Sequence, residues 1–192
     1  MTNFVSYIDN CLNESARIKS ETAKKLTQKI AKAANLTVRT YKRGNKILLC
    51  GNGGSAADCQ HIAAELVGRF KKERRALPAI ALTTNTSILT AVANDYWYDF
   101  LFARQIEALG DKGDILFVFS TSGESTNIIR AVEIAKSLKL KTIGLLGGTG
   151  GRLKKIVDLP IIIPSQSPDR IQEAHITIGH IICDIVENEL FK

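Results

Sequence analysis

Five short apolar runs, at residues 46–50, 79–82, 114–119, 141–146 and 159–163, divide the chain. Between and after them lie stretches with apolar positions three and four apart, which predict helices over 55–70, 86–93, 97–109, 125–138 and 168–190. Runs that are apolar throughout are strands covered on both faces. Their alternation with amphipathic helices therefore predicts an α/β fold, with a parallel sheet of five strands and helices on both sides. Pro160 has no N–H to give a neighbour, so the last strand belongs at a sheet edge. Upstream, Phe4, Ile8, Cys11, Ser15, Ile18, Thr22, Leu26, Ile30 and Ala33 form a stripe that predicts one long helix over 3–34. Such a helix has two uses, pairing between subunits or lying across its own sheet, and the pattern leaves both open. The organisation is one domain, 1–192, made of an N-terminal helical segment (1–44) and an α/β core (45–192). Residues 147–151, Gly-Gly-Thr-Gly-Gly, form a flexible connection.

Two loops carry the candidate chemistry. Gly51-Asn52-Gly53-Gly54-Ser55 follows the first core strand, and Ser120-Thr121-Ser122-Gly123-Glu124-Ser125-Thr126 follows the third. Each opens a helix, so in a parallel sheet both lie on the rim where ligands bind. Glycines admit an anion close to backbone N–H groups, and hydroxyls add uncharged donors. An ordinary helix cap needs one hydroxyl. Ser120, Thr121, Ser122 and Ser125 supply four, which points to a phosphate cup.

The first loop also satisfies a G-x-G-x-x-A dinucleotide fingerprint, but the next strand ends Leu82-Thr83-Thr84-Asn85, without the acid that would hold a ribose. No G-x-x-x-x-G-K-[ST] occurs, so no nucleotide cofactor is expected. The helix after the first loop presents His61 and Glu65 on one face, with Asp58 a turn earlier. His61-Ile62-Ala63-Ala64-Glu65 is not the HExxH of zinc proteases, and an ordinary surface pair is the alternative. The last helix carries Asp169, Gln172, Glu173, His175 and His180. Gln172 and His180 lie roughly 80° apart around it, so both can face one wide cleft.

Composition narrows the picture further. No apolar run approaches the ~20 residues of a membrane span, and the N-terminus lacks a basic start followed by an apolar block. Cys11, Cys50, Cys59 and Cys183 form no C-x-x-C pair and read as reduced thiols, so a cytoplasmic protein is expected. The net charge of +7 invites a nucleic-acid reading. Its densest run, residues 69–75, instead falls at a helix end where cations meet the dipole, and no nucleic-acid-binding motif accompanies it.

Taken together, CGNGGSAADCQHIAAELVGRF (50–70), PAIAL (78–82), AND (93–95), STSGEST (120–126) and PDRIQEAHITIGHIICDIVE (168–187) resemble the sugar isomerase (SIS) domain family. Within it they resemble the phosphoheptose isomerases. The resemblance implies a flavodoxin-like sheet and a homotetramer, joined through the long N-terminal helix, with active sites between subunits. It implies conversion of sedoheptulose 7-phosphate to D-glycero-D-manno-heptose 7-phosphate, toward bacterial surface heptose of lipopolysaccharide or capsule. On the family pattern Ser120, Thr121, Ser122 and Ser125 bind phosphate. Asn52, Gly53, Gly54, Ser55, Glu65, Asn94, Asp95, Asp169 and Gln172 meet the sugar, and Glu65 and His180 are the catalytic pair. Zinc, where family members hold it, falls to His61, Glu65, Gln172 and His180. Neither nucleic acid nor membrane is implied as a partner.

One position departs from the pattern, because Glu124 stands where relatives commonly carry asparagine. A carboxylate there repels a phosphate dianion unless it turns outward or meets a cation. A competing function, also implied by the resemblance, is a non-catalytic sugar-phosphate sensor or an adaptor that binds the replication initiator. The joint presence of Glu65 and His180 favours the enzyme, and turnover of sedoheptulose 7-phosphate separates the two.

Overall fold

The computed structural model describes residues 3–191; the ends of the expected 1–192 domain lie outside the described residues. Helix α1 runs Phe4–Lys42, capped by the Asn3 side chain, which accepts from the Val5 and Ser6 N–H groups. Strands β1 (Ile47–Gly51), β2 (Ala79–Ala81), β3 (Ile115–Ser120), β4 (Lys141–Leu146) and β5 (Leu159–Ile162) follow. They alternate with α2 (Gly54–Val67), α3 (Thr86–Tyr96), α4 (Leu101–Leu109), α5 (Thr126–Ser137), α6 (Leu153–Ile156) and α7 (Pro168–Leu190). The sheet is parallel throughout, in the order β2-β1-β3-β4-β5. Pro160 thus lies on an edge strand, as its missing donor requires.

Because successive strand residues point to opposite faces, each strand feeds two cores. Ile47, Leu49, Ile115, Phe117 and Phe119 meet α1, α2 and α7 on one side. Leu48, Cys50, Leu116 and Val118 meet α4 and α5 on the other. Strand order reverses between β1 and β3, whose neighbouring C-terminal ends form the switch point of a doubly wound sheet. Both glycine- and hydroxyl-rich loops leave the sheet there.

Several element boundaries differ from expectation, among them the end of α3, at Tyr96 rather than 93. α1 continues eight residues past Ala34, to Lys42. Asn35, Thr37, Val38 and Thr40 are poor helix formers, but Thr37, Val38, Thr40 and Tyr41 are buried, and tertiary burial overrides propensity. α2 stops at Val67, so the basic run lies beyond it. The predicted 97–109 helix is broken at its start. Trp97 adopts φ 72°, and a single 3₁₀ turn, Tyr98–Phe100, precedes α4. The short α6 was not anticipated.

Of the two uses considered for α1, packing on the chain's own sheet and helices is seen from Ser15 onward. Ile18, Leu26, Ile30, Ala33 and Val38 are buried within the chain's own core, each large one contributing about 1.5–3 kcal/mol. The first turns stand clear, with Phe4, Val5, Tyr7, Ile8 and Leu12 exposed.

Candidate active site

The first loop and the start of α5 are tied by a reciprocal amide pair. Asn52 Nδ2 donates to Asn127 Oδ1 (3.0 Å) and Asn127 Nδ2 donates to Asn52 Oδ1 (2.9 Å), while the Tyr98 hydroxyl also donates to Asn52 Oδ1 (3.1 Å). Asn127 is buried directly after the hydroxyl loop, and a polar side chain there was the available sequence signal for this link. Tyr98 gave no such signal. Ser55 is buried at the start of α2, and Gly53 and Gly54 line the exposed turn before it.

The hydroxyl loop is preformed. Ser120 Oγ accepts from Gly123 N (3.0 Å) and Ser122 Oγ accepts from Glu124 N (3.2 Å). Ser125 occupies the N-cap position of α5 without a side-chain cap bond, so its hydroxyl is not consumed by an ordinary cap. Thr121 is half-buried beside it. Gly123 has φ +71°, and a Cβ there would lie 2.2 Å from Gly150 O, so no other residue fits this approach to the 147–151 turn. Glu124 does meet a cation. Its carboxylate accepts from Arg152 N (2.9 Å) and Nε (3.1 Å), directing its charge to the 147–152 turn.

His61, Glu65 and His180 converge. His61 Nε2 lies 3.2 Å from Glu65 Oε1 and 3.3 Å from His180 Nε2, and His180 Nε2 lies 4.0 Å from Glu65 Oε1. Gly179 is what lets α7 come this close to α2, since a Cβ there would sit 2.4 Å from Ile62 Cδ1. The next residue, His180, thereby reaches a residue 119 positions away. Glu65 and His180 meet within one chain, so subunit sharing is not needed to bring this pair together.

The three donors are also a possible metal group. Ligands on a tetrahedral ion with bonds of ~2.0–2.1 Å are spaced by about 3.3 Å, and two imidazoles with a carboxylate suit a divalent transition ion. The donor set therefore fits. Gln172, the fourth expected ligand, places its carboxamide against Gly54, whose added Cβ would lie 2.6 Å from Oε1.

The remaining predicted residues sit on the surrounding surface. Asn94 and Asp95 are exposed near the end of α3, with Asn94 Nδ2 donating to Asp95 Oδ1 (2.8 Å). The Ser167 hydroxyl and Arg170 hold the Asp169 carboxyl down at about pKa 2. Asp58 moves the other way. Burial raises it to about 6 against the opposing His61, and its Oδ2 has no hydrogen-bond partner. His175 is not part of the site. It is fully buried beneath β4, its Nε2 is 3.3 Å from Leu146 O, and burial holds its pKa down at about 4 against that contact.

Part of the basic run is tied to the fold, although Arg69, Lys71 and Arg75 stay exposed. Arg74 donates to the Glu65, Leu66 and Gly68 carbonyls at the end of α2, Lys71 pairs with Asp184, and Lys72 reaches Phe191 O. Arg74 thus reaches back from beyond α2 to cap its last carbonyls. Sequence reasoning missed its partner Glu187, which looks like a surface glutamate on α7, and it missed Phe70.

Two loops lie at the switch point of a doubly wound sheet, where such folds receive their ligands, and a His–Glu–His cluster forms between α2 and α7. The SIS domain family model matches residues 10–147. The chain belongs to the SIS domain family and, within it, to the enzymes named phosphoheptose isomerase. It is 57% identical over 165 residues to the phosphoheptose isomerase of Aliarcobacter butzleri, covering 86% of this chain and 87% of the relative. It is 53% identical over 183 residues to that of a Nitratiruptor species, covering 95% and 98%. Among solved structures, the phosphoheptose isomerase from Francisella tularensis matches with a TM-score of 0.94 at 42% identity, covering 98% of this chain and 100% of that one. The one from Neisseria gonorrhoeae matches with 0.92 at 41%, covering 97% and 100%.

Proposed function

We propose that this chain isomerises sedoheptulose 7-phosphate to D-glycero-D-manno-heptose 7-phosphate through an enediol(ate), in the supply of bacterial surface heptose for lipopolysaccharide or capsule. The observation that carries this reading is the convergence of Glu65 and His180 at 4.0 Å from separate helices. A ketose becomes an aldose when one proton leaves C1 and one is added at C2, while a proton moves from the C1 hydroxyl to the C2 oxygen. Glu65 takes the C1 proton and delivers a proton to C2. His180 serves the two oxygens, and its imidazole suits a step that needs donor and acceptor in turn. Ser120, Thr121, Ser122 and Ser125 hold the phosphate with the free N–H groups of the first turn of α5. Asn52, Gly53, Gly54, Ser55, Asn94, Asp95, Asp169 and Gln172 orient the sugar hydroxyls.

Zinc is proposed at His61, Glu65 and His180, with Gln172 as a fourth donor. When bound it supplies Lewis acidity to the negative charge that develops on the sugar oxygens. Because the same side chains serve as acid and base, metal content and turnover are measured together.

The assembly proposed is a homotetramer in the cytoplasm, with the sugar sites at subunit interfaces. The exposed apolar turns of α1 support it, as does a groove of about 220 Å³ between α1 and α7, lined by Ala23, Ile30, Ile178, Ile181 and Ile185. Exposed Tyr96, Trp97 and Tyr98 beside Asn94 and Asp95 offer a second apolar surface near the site. Among the described residues no helix is long and apolar enough to cross a membrane.

The test is conversion of sedoheptulose 7-phosphate by the purified protein and by Glu65→Gln. Loss of a general base costs ~10²–10⁴-fold, so the variant should turn over at least about a hundredfold more slowly while assembling normally. Binding of the sugar phosphate without turnover by the wild type rejects the enzyme in favour of a sensor.

A further inference from the structure

We propose that Phe70, fixed by the buried Arg74–Glu187 ion pair, is a positioning residue that sets the plane of the His180 imidazole against Glu65. This deepens the isomerase reading and rests on it for the role of His180. The Phe70 ring lies parallel to the imidazole, with centroids 5.4 Å apart and planes at 21°. His61 approaches the same imidazole edge-on, at 4.9 Å and 72°. One face of His180 is thereby closed, and its Nε2 is left aimed at His61 and Glu65.

Phe70 is outside any helix or strand, so something else must fix it. Glu187, 1% exposed, does so. Its two carboxylate oxygens accept from Phe70 N (2.8 Å), Lys71 N (2.8 Å), Lys72 N (3.1 Å) and Arg74 Nε (2.9 Å). Arg74, whose side chain is equally buried, spends its other N–H groups on the carbonyls of Glu65 (2.8 Å), Leu66 (2.8 Å), Gly68 (3.0 Å) and Arg75 (3.1 Å). One ion pair therefore joins the C-terminal turn of α2, which carries Glu65, to α7 two turns beyond His180.

A buried ion pair adds little net stability over an apolar pair of the same volume, because desolvation offsets attraction. What this one supplies is geometry. It fixes the separation of the two helices that carry the reacting groups and the ring that confines one of those groups. Small displacements of a catalytic group are costly to rate, so the arrangement has a direct bearing on turnover.

The experiment compares Phe70→Leu with Phe70→Tyr. Leucine fills the space but removes the stacking plane, whereas tyrosine restores it. Phe70→Leu should lower kcat about tenfold or more, with KM within about twofold and thermal unfolding close to wild type. Phe70→Tyr should recover kcat. A readout independent of turnover is the imidazole proton resonance of His180, assigned by its loss in His180→Gln. Ring-current shielding by the stacked ring should persist in Phe70→Tyr and vanish in Phe70→Leu. Should Phe70→Leu fail to fold, Phe70→Met carries the same comparison. Unchanged kcat and unchanged His180 shifts in the leucine or methionine variant overturn the proposal. If the wild type does not isomerise the sugar phosphate but the resonances shift as described, the positioning stands and the isomerase reading falls.

Discussion

Replacing His175 by glutamine should remove an acid-sensitive component of stability. In the folded protein His175 is fully buried and neutral, with its pKa held near 4, whereas an unfolded histidine titrates near the ordinary value of 6.5. Between those values the unfolded chain binds the proton and the folded chain refuses it, so stability falls as pH drops below about 6.5 and levels off below about 4. A gap of this size is worth about 3 kcal/mol in full, and about 2 kcal/mol of it is lost by pH 5.0. Glutamine keeps a donor for Leu146 O without a titrating ring. Urea unfolding at pH 7.5 and 5.0, at one protomer concentration, should show wild type losing about 2 kcal/mol more than His175→Gln over that interval. Asp58, raised to about 6 by burial, contributes with the opposite sign but equally in both proteins, so the difference isolates His175. Parallel pH dependences, agreeing within about 0.5 kcal/mol, would refute the burial argument, because His175 would then be taking its proton inside the fold.

Other outcomes follow from the same geometry. Gly123→Ala, at φ +71° and against Gly150 O, should open the hydroxyl loop and raise the inhibition constant of inorganic phosphate about tenfold or more; an unchanged constant separates that loop from phosphate binding. Chelator treatment should abolish turnover if zinc at His61, Glu65 and His180 is required, with recovery on zinc addition; metal analysis that finds no ion in an active preparation rejects the requirement. Asp114, 1% exposed in its side chain, accepts from Lys46 N, Asn45 Nδ2, Asp111 N and Lys46 Nζ. Asp114→Ala strands those donors and should cost about 2–3 kcal/mol, read as a lower urea midpoint.

The layered architecture was legible because its signals are local. A short, unbroken apolar run such as 115–119, bounded by turn residues, reads as a strand covered twice, and the loops after β1 and β3 were marked by residues that serve little else. The hydroxyl loop illustrates this, since four hydroxyls where one would cap a helix leave a visible surplus. The end of α1 was not legible, because Thr37, Val38 and Thr40 disfavour a helix in isolation and are held in one by burial against the core. Nor was the kink at Trp97, where a bulky side chain takes a left-handed backbone conformation that its identity argues against.

The chemical inventory at the site was likewise readable, since His61 and Glu65 share a helix face by spacing alone. Their meeting with His180 was not, because it depends on how closely α7 approaches α2 at Gly179. The same holds for Phe70, Arg74 and Glu187, which by sequence are an aromatic in a basic run, a surface cation and a surface acid. Periodicity and residue type determine which elements form and which side chains are chemically able, since both act over one or two turns of chain. Which of those side chains meet, and which charges are buried in pairs, is decided by packing between segments over a hundred residues apart, a long-range property that no local pattern encodes.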